Sequence, residues 1–288
     1  MINRKDILLK LARVENLPSS PRLLNDALGM VEKDDASIEE IAQVISSDAA
    51  LGAKIVSIAN SPFFRGTSEI TDLVAACVRL GLNELRNLLL ASVLAGSFTE
   101  IDSDRLARFW MHSMACGYTA RAILNLSKKP VTKSEKIVAY SAGLLHDLGS
   151  LVFMQVFTPD FEELLKITSE TETTLFNLEV ENWGISHAEI GDFLSRRWKL
   201  PEVYRMVQRY HHEPWETPEL YETVVKAVHL ADFICNSRGY SRINNMPQEF
   251  DAGAWDTFGL TEDDVPKILE LVAQDGEKSE YFSSLIKQ

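Results

Sequence analysis

At 288 residues with 45% apolar content, the chain is long enough for one large or two modest domains around a real core, which excludes a disordered protein. Its formal charge of −13 would repel a phosphate backbone at long range and excludes generic nucleic-acid binding. No stretch reaches the roughly 18 consecutive apolar residues of a membrane span. The opening segment MINRKDILLKLARVEN carries charges where a secretory signal would have an apolar block, so no membrane association and a cytoplasmic setting are expected.

Helical punctuation recurs along the chain and sustained period-two alternation is absent, which predicts an all-α protein. Ser37 with Glu40 forms a capping-box pattern ahead of IAQVI. Gly81 ends one helical pattern, and Asn83 is placed to cap the apolar run LRNLLLASVLAG. A long amphipathic helix is expected from about Asp104 to Leu126. The run LVFMQVF, Leu151 to Phe157, has the composition of a buried strand, but its helical neighbours and the lack of a partner strand favour a buried helix. Ser186 with Glu189 is a second capping box, Thr261 with Asp264 a weaker one, and Pro201 and Pro218 suit first-turn positions.

Cys77, Cys116 and Cys235 are odd in number, far apart and set in apolar helical patterns, so they are expected to be reduced core residues rather than bridges or zinc ligands. No low-complexity linker or fixed repeat marks a boundary, so content must. A helical N-terminal layer is expected over 1–100, which holds no histidine, and a chemistry-bearing bundle over 101–247, which holds all six. A helical extension over 248–288 closes the bundle, the parts forming one body.

The histidines are His112, His146, His187, His211, His212 and His229, and their company gives them weight. His146 and Asp147 adjoin in the apolar segment YSAGLLHDLGSLVF, where an unpaired carboxylate is expensive to bury. A metal ion would accept the carboxylate oxygens and the imidazole lone pair together. Neighbours on a helix diverge by about 100°, so the pair can face one ion only near a bend, for which Gly149 is placed. The pair His211-His212 precedes Glu213 and Pro214, where its helix should end. His187 sits in the first turn after the Ser186 cap, where a side chain can point off the helix end into a cavity. Asp232 is a second buried-looking carboxylate in VVKAVHLADFIC, and His112 follows FWM in the long helix.

Carboxylate and imidazole without cysteine suit a divalent site of iron, manganese or zinc without choosing among them. On residue types and spacing alone, such a site and a hydrogen-bonded polar core fit equally. The chain has no Gly-rich phosphate loop, nucleophile elbow or zincin helix. The basic residues Arg196, Arg197, Lys199, Arg205 and Arg209 favour a solvated helix face over an anion site.

The order His112, His146-Asp147, His187, His211-His212, Asp232 resembles the metal-ligand series of the HD superfamily, with GLLHDLG and YHHEPW as its most telling segments. The N-terminal run from LPSSPRLLNDALG through IANSPFF, followed by AACVRLGLNELRNLLL, is similar to the HDOD family, and the resemblance covers nearly the whole chain. It implies an HD-type helical bundle under an N-terminal helical layer, and a bacterial regulatory role exercised through a signalling protein or small effector. Members are commonly described as non-enzymatic relatives of HD phosphohydrolases, many having lost ligands; this sequence keeps them.

By analogy, one ion would be held by His112, His146, Asp147 and Asp232, and a second by His187, His211 and His212, with Asp147 bridging. HD-GYP phosphodiesterases carry a lysine where this chain has Ser150, and a GYP segment where it reads HHEPWETPELYE, so cyclic di-guanylate hydrolysis is not expected. The resemblance thus implies a regulator whose one or two divalent ions are structural or sensory. The alternative is a metal-dependent phosphohydrolase acting on a nucleotide or cyclic-nucleotide phosphoester, with Asp147 essential and Arg196, Arg197, Arg238 or Arg242 neutralising the substrate. His229, three residues before Asp232, would be either a partner that orients a ligand or a plain buried histidine. A scaffold without metal is the third reading, and the apolar helix faces of the N-terminal half leave room for a homodimer.

Overall fold

Side-chain caps set where several of the helices begin, as at Ser37, Asp72, Asp102, Thr132 and Thr174. The computed structural model describes residues 2–13, 26, 29–30, 33, 37–61, 64, 69–95, 98, 100–171, 173–238 and 250–273, and among these it has 14 α-helices and no strand. The first five are α1 (Arg4–Arg13), α2 (Ile38–Ser46), α3 (Ala49–Ala59), α4 (Leu73–Leu80) and α5 (Leu82–Ala95). Ser37 and Glu40 close the expected reciprocal box at the start of α2. Gly81 ends α4 at φ 76°, a conformation that glycine adopts without penalty, and its carbonyl accepts from the Leu85 N–H. That places α5 directly after Gly81 and corrects the expectation for Asn83, which lies inside the first turn instead of capping it.

The long helix α6 (Ser103–Leu126) starts on an Asp102 cap. It is not amphipathic as expected: His112 through Ala120 are buried without interruption, because other helices pack on it from several sides. Helices α7 (Lys133–Leu145) and α8 (Leu148–Val156) follow, and the run Leu151 to Phe157 is accordingly helical up to its last residue. Within Lys133–Val156 an 18-residue window has a mean hydropathy of 1.4, apolar enough for a membrane-spanning helix, but 94% of that window is buried inside the protein.

The remaining helices are α9 (Thr158–Glu170), α10 (Leu175–Trp183), α11 (His187–Trp198), α12 (Glu202–Tyr210), α13 (Glu222–Ser237) and α14 (Gly253–Phe258). Pro201 and Pro218 occupy the flanking cap positions of α12 and of a short 3-10 turn, one place ahead of the first turn itself. The Thr261–Asp264 box is complete. The Ser186–Glu189 box is only half formed: the Ser186 hydroxyl accepts from the Glu189 N–H, but the Glu189 carboxylate turns away to grip both terminal nitrogens of Arg4 at 3.0 Å.

Two close helix crossings position the site. A Cβ on Gly143 of α7 would stand 2.7 Å from the Gly117 Cα of α6, and one on Gly149 of α8 would stand 1.9 Å from the His187 carbonyl oxygen of α11. Only backbones without side chains at these points can approach so closely. α13 packs across both α6 and α7. Among the described residues one large apolar core runs from Ile7 to Val272. Helix α1 is tied into the downstream bundle by Arg4 and by Lys10 Nζ, which donates to the Val156 carbonyl at 2.7 Å.

Candidate metal centre

The break between α7 and α8 falls on the His146-Asp147 pair. Helix α7 stops at Leu145, Asp147 takes φ −117° and ψ 16°, and α8 begins at Leu148. This junction, and not a bend at Gly149 as expected, lets adjacent residues face one space. His146 Nε2 lies 4.0 Å from Asp147 Oδ2. Gly149 serves instead to admit α11, whose first residue is His187, with Nε2 3.4 Å from Asp147 Oδ1.

Two groups of donors meet around Asp147. In the first, His112 Nε2 from α6 is 3.0 Å and His146 Nε2 3.7 Å from Asp232 Oδ1 of α13. Cys116, one turn beyond His112, brings Sγ to 3.6 Å from His112 Nε2 and 3.9 Å from Asp232 Oδ1. In the second, His187 Nε2 and His212 Nε2 are 2.9 Å apart and His211 completes the trio. Two ligands at about 2.1 Å from one ion at right angles would stand roughly 3 Å apart. His146, Asp147 and His211 form a third, overlapping trio; within each of the three groups the donor atoms lie within 4.8 Å of one another. All seven residues singled out from the sequence are therefore brought together, and all are buried except the half-buried His212.

Hydrogen bonds fix which imidazole nitrogen faces the centre. His146 Nδ1 lies 2.6 Å from the Gly143 carbonyl, and His211 Nδ1 lies 3.0 and 3.1 Å from the Gln208 and Val207 carbonyls. His187 Nδ1 lies 2.6 Å from Glu179 Oε2, which also accepts the His187 backbone N–H at 2.7 Å. These oxygens only accept, so each Nδ1 carries the proton and each Nε2 presents a lone pair inward. The buried His211 Nε2 has no hydrogen-bond partner among the described residues. A buried acceptor left in that state is destabilising, and a divalent ion is the group that lone pairs and carboxylates in this array would satisfy.

His229 braces the centre through backbone. Its Nδ1 donates to the His211 carbonyl at 2.8 Å and its Nε2 accepts from the Asp251 N–H at 3.0 Å. Among the arginines considered from the sequence, Arg196 is engaged by Asp192 at 2.9 Å on the outer face of α11, Arg197 and Arg238 are exposed, and Arg242 lies outside the described residues.

Two participants escaped the sequence reading. Cys77, Cys116 and Cys235 are free and buried as expected, but Cys116 touches the first donor group. Its spacing of four from His112 puts both on one helix face, the signal that was available. Glu179 is fully buried and shares a stripe with Phe176 and Trp183, so a carboxylate on an apolar helix face was the cue. Glu179→Gln is expected to keep the fold and weaken metal affinity 10–100-fold, as loss of an orienting carboxylate does. Competition against a chromophoric chelator measures this, and unchanged affinity would remove Glu179 from the centre.

Burial, followed by repulsion from neighbouring histidines, holds His211 and His212 well below the usual imidazole range, and burial also lowers His229. Burial alone would raise the Asp232 carboxyl, but the His112 hydrogen bond and the surrounding imidazoles outweigh it and hold it well below the carboxylate range. The unfolded chain takes up protons near an imidazole pKa of about 6.5 while these folded histidines do not. Stability of protein without added metal should therefore fall as pH drops through that value, by up to about 1.4 kcal/mol per pH unit for each histidine. Asp232 contributes in a lower window: its stabilisation is present above about pH 3.9 and is lost only as acidity passes below it. Urea midpoints at pH 7.5 and 5.5 check this, and a flat profile would mean that the histidines titrate as they do in the open chain.

With the centre assembled from these helices, likeness to other proteins can be weighed. The sequence profile of the HDOD domain matches residues 17–214. This chain belongs to the HDOD family. A relative in Treponema pallidum (strain Nichols), described as an uncharacterized protein, is 32% identical over 222 residues, which is 76% of this chain and 42% of that protein. The chain thus spans less than half the length of that relative. A crystal structure from Marinobacter aquaeolei VT8, described as a candidate signal transduction protein, matches with a TM-score of 0.78 at 20% identity over 100% of this chain and 62% of its own. Another, from Shewanella amazonensis SB2B and described as a candidate phosphohydrolase, matches with a TM-score of 0.69 at 22% identity over 96% of this chain and 97% of its own. Both share the HDOD chain's all-α fold.

Proposed function

We propose that this HDOD protein is a regulator built around a centre of one or two divalent transition-metal ions, acting through a signalling protein or a small effector without turning over a substrate. The observation that carries the reading is the inward lone pair of His211 Nε2, buried with no hydrogen-bond partner among the described residues, beside imidazoles whose other nitrogens are already committed. His112, His146, Asp147 and Asp232 would hold one ion and His187, His211 and His212 another, with Asp147 between them. When bound, such ions supply Lewis acidity and neutralise two buried carboxylates.

Burial favours a regulatory over a catalytic role. His112, His146, Asp147, His187, His211 and Asp232 are each exposed by 4% or less, so six of the seven donors are shut away from a substrate in solution. Ser150 donates to Asp147 Oδ1 at 2.8 Å and steadies that carboxylate, where a lysine would instead offer a charge to a phosphate.

Elemental analysis of protein purified without a histidine tag or chelator tests the centre: one to two equivalents of iron, manganese or zinc are expected. Absence of metal would leave the histidines as a hydrogen-bonded core. The second reading, a metal-dependent phosphohydrolase, is favoured by the paired donor groups around one shared carboxylate and by the candidate phosphohydrolase with the same fold. Turnover of any phosphoester in a broad nucleotide and cyclic-nucleotide panel, lost in Asp147→Ala, would replace the regulatory reading.

A further inference from the structure

By sequence the three cysteines are expected to be plain core residues, yet the fold carries one of them into the first donor group. Cys116 lies one turn beyond His112 on the same face of α6, with its Sγ 3.6 Å from His112 Nε2 and 3.9 Å from Asp232 Oδ1. Together with His146 these residues form a buried set of four whose donor atoms all lie within 4.8 Å of one another. Cys235 clusters with Cys116, and its Sγ is 3.5 Å from Thr119 Oγ1. Neither Cys235 nor Cys77 joins a donor group among the described residues.

The separations within the set are those of ligands around a tetrahedral ion. Sulfur at about 2.3 Å and nitrogen at about 2.0–2.1 Å from one ion stand roughly 3.6 Å apart at the tetrahedral angle, and nitrogen and oxygen roughly 3.4 Å apart. Here the sulfur to His112 nitrogen distance is 3.6 Å. The distances from Asp232 Oδ1 to His112 Nε2 and His146 Nε2, 3.0 and 3.7 Å, straddle the second value. Surrounding groups hold the donors in that aim: Asn236 Nδ2 donates to Asp232 Oδ1 at 2.9 Å, and His146 Nδ1 is committed to the Gly143 carbonyl. The adjoining His211 Nε2, buried with no hydrogen-bond partner among the described residues, meets His146 in the overlapping trio. A thiol brings one proton to this company of acceptors, whereas a thiolate with a cation satisfies them together.

We propose that Cys116 is a thiolate ligand of the ion held by His112, His146 and Asp232, which makes that half of the centre selective for zinc over manganese. The inference rests on the metal reading above and adds to it a sulfur donor and an ion preference. Thiolate is a soft ligand suited to zinc, while manganese favours oxygen. Binding releases the thiol proton to solvent, and Asp147 keeps its place between the two ions.

Cobalt(II), which substitutes for zinc and reports its ligands by absorption, tests the assignment in the full chain after its own metal is removed. Sulfur bound to cobalt gives an intense near-ultraviolet charge-transfer band that nitrogen and oxygen ligands do not. Wild type should develop this band to saturation, and added zinc should abolish it. Cys116→Ser keeps a hydrogen-bonding hydroxyl in the same place; it should bind cobalt without the band and bind zinc about tenfold or more weakly, with manganese affinity little changed. Cys77→Ala/Cys235→Ala, in which Cys116 is the only remaining thiol, should keep the band. Cobalt bound by wild type without a sulfur band would overturn the proposal while the metal centre stands. So would a band that persists in Cys116→Ser or vanishes from the double variant. No saturable cobalt binding would overturn the centre itself and this inference with it. The wild-type spectrum decides sulfur ligation alone, so the outcome does not depend on the stability of either variant.

Discussion

Gly149→Ala is expected to lower the unfolding free energy by about 4 kcal/mol or more, near the upper end for a single methyl group. The added Cβ would lie 1.9 Å from the His187 carbonyl oxygen and 2.8 Å from both the His187 carbonyl carbon and the Gly191 amide nitrogen. All three atoms belong to the α11 backbone, which no rotamer change can move aside. Helices α8 and α11 must separate, and since Asp147 and His187 flank that crossing, the separation also widens their 3.4 Å contact. The variant should therefore lose metal affinity together with stability.

Gly52→Ala is the matched control. It sits within α3, and among the described residues its Cβ would meet only Leu73 Cδ2 at 4.0 Å. Replacing a helix-interior glycine with alanine at such a site should stabilise by about 0.5–1 kcal/mol. Urea unfolding compares the pair, and equal midpoints would show that the α8–α11 crossing is looser than described.

The second large effect is metal removal. An ion bound only by the folded state at a thousandfold excess over its Kd contributes about 4 kcal/mol, which for a chain of this size corresponds to a Tm shift of roughly 7 °C. Chelation should produce that fall, re-addition of the ion should reverse it, and Asp147→Ala, which removes the carboxylate between the two donor groups, should respond to neither. The coupling is strong because the donors come from α6, the α7–α8 junction, α11, the end of α12 and α13, so one ion ties together segments that otherwise rely on apolar packing. A melting curve indifferent to chelator, in protein shown to carry metal, would place the ion elsewhere.

Much of this arrangement was legible before any coordinates. Local chemistry fixed the Ser37–Glu40 box, the Gly81 terminus and the stop at His211-His212, because each depends on residues within one turn. The order of histidines and aspartates was enough to nominate all seven clustered residues. Relations set by tertiary contact were not readable. Glu179 reaches His187 across a helix boundary, Cys116 meets Asp232 from 116 positions away, and His229 grips a backbone carbonyl rather than a side chain. Likewise a bend is expected at Gly149 because the sequence holds no sign of which backbone passes beside it, and the amphipathic pattern expected of α6 gives way because its burial comes from partners distant in sequence.

The spread of donors from His112 to Asp232 also orders events in time. At a synthesis rate of about 5–20 residues per second, the last donor leaves the ribosome roughly 6–24 s after the first. During that interval His112, Cys116 and His146 are available without Asp232, a set able to catch a stray ion in the wrong company. On the proposed reading, selective loading belongs to the finished bundle, after α13 has closed over α6 and α7, and a nascent chain arrested before residue 222 should not hold an ion with the affinity of the complete protein.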